Sequence, residues 1–306
     1  MTPMSSRAAI IVAFLCALSL WYSYRWYIVE RARGAQSGTS RRRPGSADII
    51  TGFATDFFDT LGIGSFAPTT AIFKLLRRMP DEEVPGTLNA GHALPNIAEA
   101  VIFIAIVNVD FATLSAMILA SAAGAWFGVG IVSRLPRRAI QVGMGSALLV
   151  SALLFAAANL KLMPGGGTAT SLSGGTLVFS VAANFLLGGL MMLGVGLYAP
   201  CLIMVSLLGM SPLAAFPIMM GSCALLMGIG GARFVSSGRY NFPAALGLTL
   251  GGIPGVLVAA FLVKSLPLQW LRWMVVFVVI YAAVLMLAAA RSRGTQKGRV
   301  HVPAAD

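Results

Sequence analysis

The chain has 306 residues, of which 58% are apolar and only 10% are charged, and its mean hydropathy is +0.84. Soluble domains carry about 25% charged residues, so this composition excludes a soluble enzyme, a disordered chain and a fibrous repeat. The net charge is +12. The basic residues fall between apolar runs, as in cytoplasmic loops of membrane proteins, so the charge does not indicate nucleic acid as a partner. We predict a multi-pass protein of the plasma (inner) membrane, with the lipid bilayer as its first partner.

The first apolar run covers residues 8–29. The aromatic residues near its end, among them Trp21, Tyr22, Trp26 and Tyr27, are typical of a membrane interface. We predict an uncleaved N-terminal transmembrane anchor at residues 1–29; a cleaved signal peptide is the alternative. The following segment, residues 30–47, is rich in Arg, Gly and Ser and is predicted as a basic cytoplasmic linker.

Eight further apolar stretches follow, four on either side of a Gly-rich connecting loop at residues 161–175. They are residues 48–76, 91–109, 111–132 and 139–160 before the loop, and 176–208, 216–235, 242–263 and 271–290 after it. Residues 291–306 are predicted as a basic cytoplasmic tail.

The two groups of stretches repeat each other. Gly-Ile-Gly-Ser-Phe-Ala-Pro at 62–68 matches Gly-Val-Gly-Leu-Tyr-Ala-Pro 132 residues later, at 194–200. Small residues at every fourth position, a pattern of close helix packing, recur with an offset of 131, at 120, 124 and 128 and at 251, 255 and 259. Such repeats are common in secondary transporters. We therefore predict transporter repeats at residues 48–160 and 176–290.

The distribution of Lys and Arg predicts the orientation of the repeats. If the first stretch of each repeat crosses the membrane once, 13 basic residues lie inside and 9 outside; if it turns back as a hairpin, the division is 18 and 4. The positive-inside rule favours the hairpin. Gly-x-Gly followed by Pro breaks a helix and leaves a second arm of about 10 residues, half a bilayer. The predicted fold is an all-α polytopic membrane protein with two inverted repeats, each a broken re-entrant helix hairpin plus three transmembrane helices, and an extra N-terminal anchor helix.

Each helix break predicts a binding site for a small anion. Free N–H groups and the positive dipole end gather where each second arm begins, near Ser65 and Leu197, and such helix ends bind anions. The simpler alternative is that the glycines serve only close packing, but the prolines at equal places in both breaks favour a site. The candidate substrate-binding residues are Gly62, Gly64, Ser65, Thr69, Asn89, Gly194, Gly196, Tyr198, Cys201 and Ser222.

Ionisable residues within the apolar stretches predict ion coupling, because acids inside a membrane are costly and mark functional sites. Two acids precede Gly62, and a polar stripe on one helix face consists of Asn89, His92, Asn96 and Glu99. The equivalent stripe of the second half holds only Gly and Ala, so the halves divide the work. The candidate ion-coupling residues, for a proton or a cation, are Asp56, Asp59, His92 and Glu99. Hydrogen bonding between helices is the alternative, and the positions also allow Asp56 to lie near a membrane surface and His92 at the mouth of its helix.

The segment Phe-Phe-Asp-Thr-Leu-Gly-Ile-Gly-Ser-Phe-Ala-Pro at 57–68 resembles the TauE/SafE family of membrane permeases. The duplicated Gly-rich motif and the Gly-rich closing spans extend the resemblance over residues 48–290. The resemblance implies export or uptake of sulfite, sulfonates or related small organic anions, coupled to an ion gradient. Two features depart from the family pattern: the Thr-Ser pair that often follows the second Pro of each half is replaced at 86–90 and 221–223, and the anchor and linker are additions to the common core.

These patterns together predict a secondary transporter that moves a small anion such as sulfite, a sulfonate or a related organic acid, coupled to a proton or cation gradient. We predict neither enzymatic activity nor a cofactor. An anion channel is the main alternative, and an intramembrane enzyme is a weaker one. The sequence has no GxxxxGK[ST] or HExxH motif, and its three cysteines lie in apolar runs without CxxC spacing, which argues against a zinc site.

Overall fold

The computed structural model describes residues 6–37, 43–76, 78–80, 83–132, 167–192 and 196–262, with isolated positions between 142 and 162 and between 273 and 288. The spans predicted at 139–160 and 271–290 lie mostly outside the described residues, as does the tail. Gly194 also lies outside them.

Apart from one isolated bridge, all regular structure in the described ranges is helical, which confirms the all-α prediction. The helices are α1 (Ser6–Ser37), α2 (Ser46–Thr60), α3 (Phe66–Leu75), α4 (Val84–Gly91), α5 (Ala93–Ile106), α6 (Phe111–Val132), α7 (Gly174–Met191), α8 (Tyr198–Leu207), a 3-10 turn (Pro212–Ala214), α9 (Ala215–Ser237) and α10 (Phe242–Leu262). Among the described residues, five helices are long and apolar enough to cross a membrane, or six if the bent pair α4–α5 is one span.

Helix α1 is longer than the predicted anchor, because it continues to Ser37, well into the segment predicted as a linker. One side of it faces away from the bundle, with Leu20 73% exposed. The other side packs into the bundle: Tyr22 is fully buried, and its hydroxyl donates a hydrogen bond to the Ala90 carbonyl at 2.9 Å. α1 is therefore an integral part of the bundle as well as an apolar helix of membrane-spanning length.

A second set of bonds ties α1 to the loop between α9 and α10. The Trp26 indole donates to the Tyr240 hydroxyl at 2.8 Å, and that hydroxyl donates to Glu30 Oε1 at 2.7 Å. Arg33 donates to Glu30 Oε1 and to the Val235 carbonyl. Burial and the bond to Glu30 raise the pKa of the Tyr240 phenol above its ordinary value. The phenol therefore stays protonated and keeps donating to Glu30.

The pair α4–α5 is bent by 42° at His92. Pro95 has no N–H, so the Gly91 carbonyl lacks its helical partner. The hydroxyl of Thr249 on α10 donates to that carbonyl at 2.6 Å, and the Tyr22 hydroxyl donates to the preceding carbonyl, that of Ala90. Side chains from two other helices thus satisfy the backbone at the bend, as an apolar surrounding requires.

The predicted helix breaks are present at both Gly-rich motifs. Gly62 and Gly64 separate α2 from α3 with φ of 89° and 87°, a left-handed conformation that glycine adopts without strain. Gly196, the equivalent of Gly64, is not among the glycines with positive φ. The arms after the breaks, α3 and α8, have 10 residues each, as predicted.

The two ends of each broken pair lie side by side. Asp48, at the start of α2, accepts two hydrogen bonds at 2.7 Å from Nη2 of Arg78, which follows α3. In the second half, the Ser211 N–H after α8 donates to the Ala169 carbonyl before α7 at 2.8 Å. In both halves, therefore, a residue after the second arm contacts a residue at or before the start of the first arm.

Each broken pair packs on a helix of the other half: α2 lies along α10, and α7 lies along α6. A Cβ on Gly255 would collide with the Phe53 carbonyl oxygen, and a Cβ on Gly124 would collide with that of Phe185. The two phenylalanines are 132 residues apart and the two glycines 131. These are the offsets of the sequence matches, so equivalent residues make equivalent contacts.

Candidate functional site

Nine buried polar side chains lie together where the α2–α3 break, α5 and the start of α8 meet. Their side-chain hydrogen bonds form two groups, one around His92 and the other around Asp59 and Glu99. Each of the nine side chains is at most 3% exposed. This polar cluster consists of Asp56, Asp59, Thr60, Ser65, Thr69, His92, Asn96, Glu99 and Tyr198. All of the predicted ion-coupling residues are in it, and the side chains of Asp56 and His92 are fully buried within the protein.

One side of the polar cluster is a carboxylate–imidazole pair. His92 Nδ1 lies 2.8 Å from Asp56 Oδ1, and His92 Nε2 lies 3.1 Å from the Thr69 hydroxyl. The carboxylate fixes the proton on Nδ1, which leaves Nε2 to accept from Thr69 when the ring is neutral or to donate when it is charged. His92 thereby connects α2 to α3. Its protonation state determines whether the Thr69 hydroxyl on α3 donates or accepts the hydrogen bond.

The centre of the polar cluster is Asp59. Its Oδ2 accepts hydrogen bonds from the Ser65 hydroxyl at 3.1 Å and from Asn96 Nδ2 at 2.9 Å. Ser65 directly precedes α3, so this carboxyl group is connected to the tip of the broken pair. Any change in the charge of Asp59 therefore changes the contacts of the tip.

The other side of the polar cluster is Glu99, which contacts both halves of the protein. Its Oε1 lies 2.7 Å from the Thr60 hydroxyl, and its Oε2 lies 3.0 Å from the Tyr198 hydroxyl. That hydroxyl also lies 3.0 Å from Asn96 Oδ1. Tyr198 is the first residue of α8, so the second tip reaches the acids of the first half through this side chain.

The two helix breaks meet at the polar cluster. A Cβ on Gly64 would lie 4.0 Å from the Cβ of Tyr198, and one on Gly62 would lie 3.3 Å from the Phe216 ring. Because Pro68 and Pro200 have no N–H, the unpaired donors of α3 and α8 are the N–H groups of their first two residues. Both sets of donors begin beside the polar cluster, since Ser65 and Tyr198 belong to it.

The charges within the polar cluster do not balance if every acid is ionised. It holds three carboxyl groups and one imidazole, and none of its nine members is Lys or Arg. An uncompensated buried charge costs several kcal/mol. The composition of the polar cluster therefore favours states in which protons neutralise some of the acids.

The chain matches the family described as Sulfite exporter TauE/SafE over residues 2–155, half of its length. It belongs to the TauE/SafE family. No curated protein and no solved structure matches the chain. The TauE/SafE family consists of membrane transporters, so this is a multi-pass membrane transport protein.

The extent of the TauE/SafE match corrects one prediction. The match begins at residue 2 and so includes α1 and the linker, which the sequence analysis took as additions to the common core. In this chain α1 also packs as part of the bundle, since its Tyr22 hydroxyl donates to the Ala90 carbonyl at the α4–α5 bend.

Two predicted substrate-binding residues of this TauE/SafE protein make their hydrogen bonds away from the polar cluster. Asn89 Nδ2 donates to the Pro85 carbonyl, and Asn89 Oδ1 is buried without a partner. The helix bends at His92, which separates Asn89 from the rest of its predicted stripe. Ser222 on α9 accepts from Asn184 Nδ2 at 3.0 Å.

The glycine and cysteine candidates of the second tip differ in their surroundings. Cys201 is fully buried in the apolar core. A Cβ on Gly196 would meet no described residue within 4 Å, so the described part of the structure leaves space beside this glycine.

Sequence reasoning left two members of the polar cluster out of the candidate site residues. Asn96 stood on the polar stripe, three positions from Glu99, and that spacing was a usable signal. Thr60 gave no signal, because a helical Thr commonly bonds to the carbonyl four residues earlier, as Thr60 does to Asp56.

Proposed function

We propose that this TauE/SafE protein is a secondary transporter that moves a small anion, such as sulfite, a sulfonate or a related organic acid, together with protons. One observation carries the proposal: two helix breaks, each beginning an arm with free N–H groups, meet at a buried group of three carboxyls and one imidazole. The first element suits an anion and the second suits protons.

The proposal includes two inverted repeats whose broken pairs are re-entrant hairpins. The contacts Asp48–Arg78 and Ala169–Ser211 support hairpins, because the chain returns to its starting end. Ser211 precedes α9, and the loop after α9 bonds to α4 through Asn241 N–H and Thr87. The second hairpin therefore begins near the start of α9, and α4, which follows the first hairpin, lies near the end of α9. The two hairpins thus begin at opposite ends of α9, which supports inversion. The length of α7 would also allow it to cross the membrane. The contact between Ala169 and Ser211 is the observation that favours the hairpin.

Electrostatics gives the reason for coupling. An ionised carboxyl about 7 Å from a bound anion repels it by roughly 2 kcal/mol at an effective dielectric constant of about 20. Protonation of the acids therefore strengthens anion binding, and by linkage the anion strengthens proton binding. A transporter with this coupling carries anion and proton in the same direction, and the two gradients set that direction.

The proposed roles follow the geometry. The tips around Gly62, Gly64 and Gly196 would hold the anion, with Ser65, Thr69, Tyr198 and Cys201 beside it. Asp56, Asp59, His92 and Glu99 would carry the coupled charge. Asn89, Gly194 and Ser222 stay predictions as substrate contacts.

The test is flux of labelled sulfite into proteoliposomes, with and without a pH gradient, against unlabelled sulfonates, sulfate and short carboxylates as competitors. Saturable flux that follows the pH gradient would support the proposal. Flux that rises linearly with concentration would indicate a channel, and consumption of substrate in detergent, without compartments, would indicate an enzyme. If no competitor binds or moves, the proposed class of substrate is wrong.

A further inference from the structure

The hydrogen bonds around Glu99 require more protons than an ionised cluster supplies. The Tyr198 hydroxyl has one proton and faces two acceptors, Asn96 Oδ1 and Glu99 Oε2, both at 3.0 Å. The Thr60 hydroxyl also has one proton and faces the Asp56 carbonyl at 2.8 Å and Glu99 Oε1 at 2.7 Å. Two hydroxyl protons cannot serve four acceptors.

Asn96 transmits this shortage to Asp59. With its NH₂ group toward Asp59 Oδ2, its carbonyl oxygen faces Tyr198. If both acids are ionised, Tyr198 donates to only one of its two neighbours, and the other contact brings two oxygen acceptors together at 3.0 Å in a buried site. Such a contact is repulsive.

One added proton removes the conflict along the chain from Asp59 through Asn96 and Tyr198 to Glu99 in either of two ways, while the single Thr60 proton stays shared between its two acceptors. If Glu99 is protonated, it donates to Tyr198, Tyr198 donates to Asn96, and Asn96 donates to an ionised Asp59. If Asp59 is protonated, it donates to the Asn96 carbonyl after the amide rotates by half a turn, Asn96 donates to Tyr198, and Tyr198 donates to an ionised Glu99. Apart from the exchange of the Asn96 oxygen and nitrogen, the heavy atoms keep their places in both arrangements.

We propose that Asp59 and Glu99 hold one proton in common in this conformation, and that Asn96 and Tyr198 are positioning residues that link its two locations. The inference rests on the proposed function for its use in transport. Because Tyr198 begins α8, the link spans the two halves of the chain, and separation of the two tips would break it.

The other titratable groups that face these acids already have partners. Asp56 on α2 and His92 at the bend are bonded to each other at 2.8 Å. The thiol of Cys223 on α9 donates to Met191 Sδ at 3.4 Å. None of the three supplies a proton to the contacts of Tyr198, so the missing proton belongs to the Asp59–Glu99 pair.

Infrared spectroscopy of the full chain in lipid nanodiscs tests the proposal through the carboxylic-acid C=O band and its shift in D₂O. In Glu99→Gln, the amide takes the place of the protonated acid and Asp59 becomes ionised; in Asp59→Asn, Glu99 becomes ionised. We therefore expect either substitution alone to remove the same band. Glu83→Gln, outside the polar cluster, is the matched control and keeps it.

Tyr198→Phe gives the second reading, because it removes the acceptor of the acid proton and leaves both carboxyls in place. We expect the band to keep its intensity and to shift in frequency, which a purely structural role of Tyr198 would not produce. A band that survives in both single variants, or that halves in each, would overturn the shared proton. Helix content by circular dichroism checks that each variant folds.

These spectra do not depend on transport. If sulfite and its competitors fail to move while the band behaves as expected, the proposed function fails and the shared proton stands. If transport is found and neither substitution removes the band, the proposed function stands and this inference fails.

Discussion

Gly252 on α10 touches the carboxylate of Asp56, and a Cβ at position 252 would collide with Asp56 Oδ2. At the equivalent helix crossing of the other half, the roles are exchanged: Gly188 lies against the Ser121 carbonyl, and a Cβ at position 188 would collide with it. The same crossing therefore holds an acid in one half and a glycine in the other. The Asp56 carboxylate fits because Gly252, on the facing helix, has no side chain.

Substitution Gly252→Ala should displace Asp56 and weaken its contact with His92. We expect pH-driven sulfite accumulation to fall at least tenfold, with a loss of stability of about 1–3 kcal/mol from overpacking. The measurements are proteoliposome flux and thermal unfolding in detergent. Gly175→Ala is the control, since a Cβ there meets none of the described residues within 4 Å; equal behaviour of the two variants would contradict the steric role.

Substitution Asp59→Asn should uncouple the proton from the anion. We expect gradient-driven accumulation to fall at least tenfold while sulfite binding to the detergent-solubilised protein changes by less than about threefold, because the amide keeps the uncharged shape of the site. Asp110→Asn is the control. Asp110 is exposed and caps α6 by accepting a hydrogen bond from the Thr113 N–H, and an Asn side chain can accept the same bond. Undiminished accumulation in Asp59→Asn would remove this residue from the coupling machinery.

Substitution Tyr22→Phe should destabilise the α4–α5 bend. It leaves the Ala90 carbonyl buried without a donor, and we expect a loss of about 1–3 kcal/mol and a lower thermal midpoint. Tyr24→Phe makes the same chemical change on the outer side of α1, where the side chain is 64% exposed. If both variants melt together, the contact with Ala90 contributes nothing measurable.

Single cysteines placed at Leu76 and Leu213 should react from opposite sides of the membrane. Both leucines are about half exposed, and each lies just after the second arm of a broken pair. In a background with the three native cysteines replaced by alanine, a membrane-impermeant thiol reagent should label Leu76→Cys only from the cytoplasmic side and Leu213→Cys only from the other. Labelling of Leu76→Cys from outside would mean that 48–76 crosses the membrane once.

The sequence patterns predicted those parts of the molecule that depend on local chemistry. Gly62 and Gly64 break the helix because their backbone angles suit glycine, and that requirement is visible in the motif. The four ion-coupling candidates came together because an acid or an imidazole in an apolar span needs a buried partner. Neither result required knowledge of distant contacts.

The parts that could not be predicted depend on pairs of residues far apart in the chain. No feature of the sequence near Tyr22 shows that its hydroxyl donates a hydrogen bond to the Ala90 carbonyl, 68 positions later. The bend at His92 required Pro95 to be weighed against donors from other helices, and without it Asn89 was grouped with residues whose hydrogen bonds lie elsewhere. The inclusion of Thr60 depends on where Glu99 points, which no local pattern gives.

The exchange of packing partners between the halves has a consequence for biosynthesis. α2 leaves the ribosome early, and α10, which it packs against, is among the last described helices to be made. Until residue 252 has entered the membrane, Asp56 lacks the neighbour that completes its surroundings. The nascent first half is therefore inserted before its acids are fully enclosed, and assembly of the polar cluster waits for the C-terminal half of the chain.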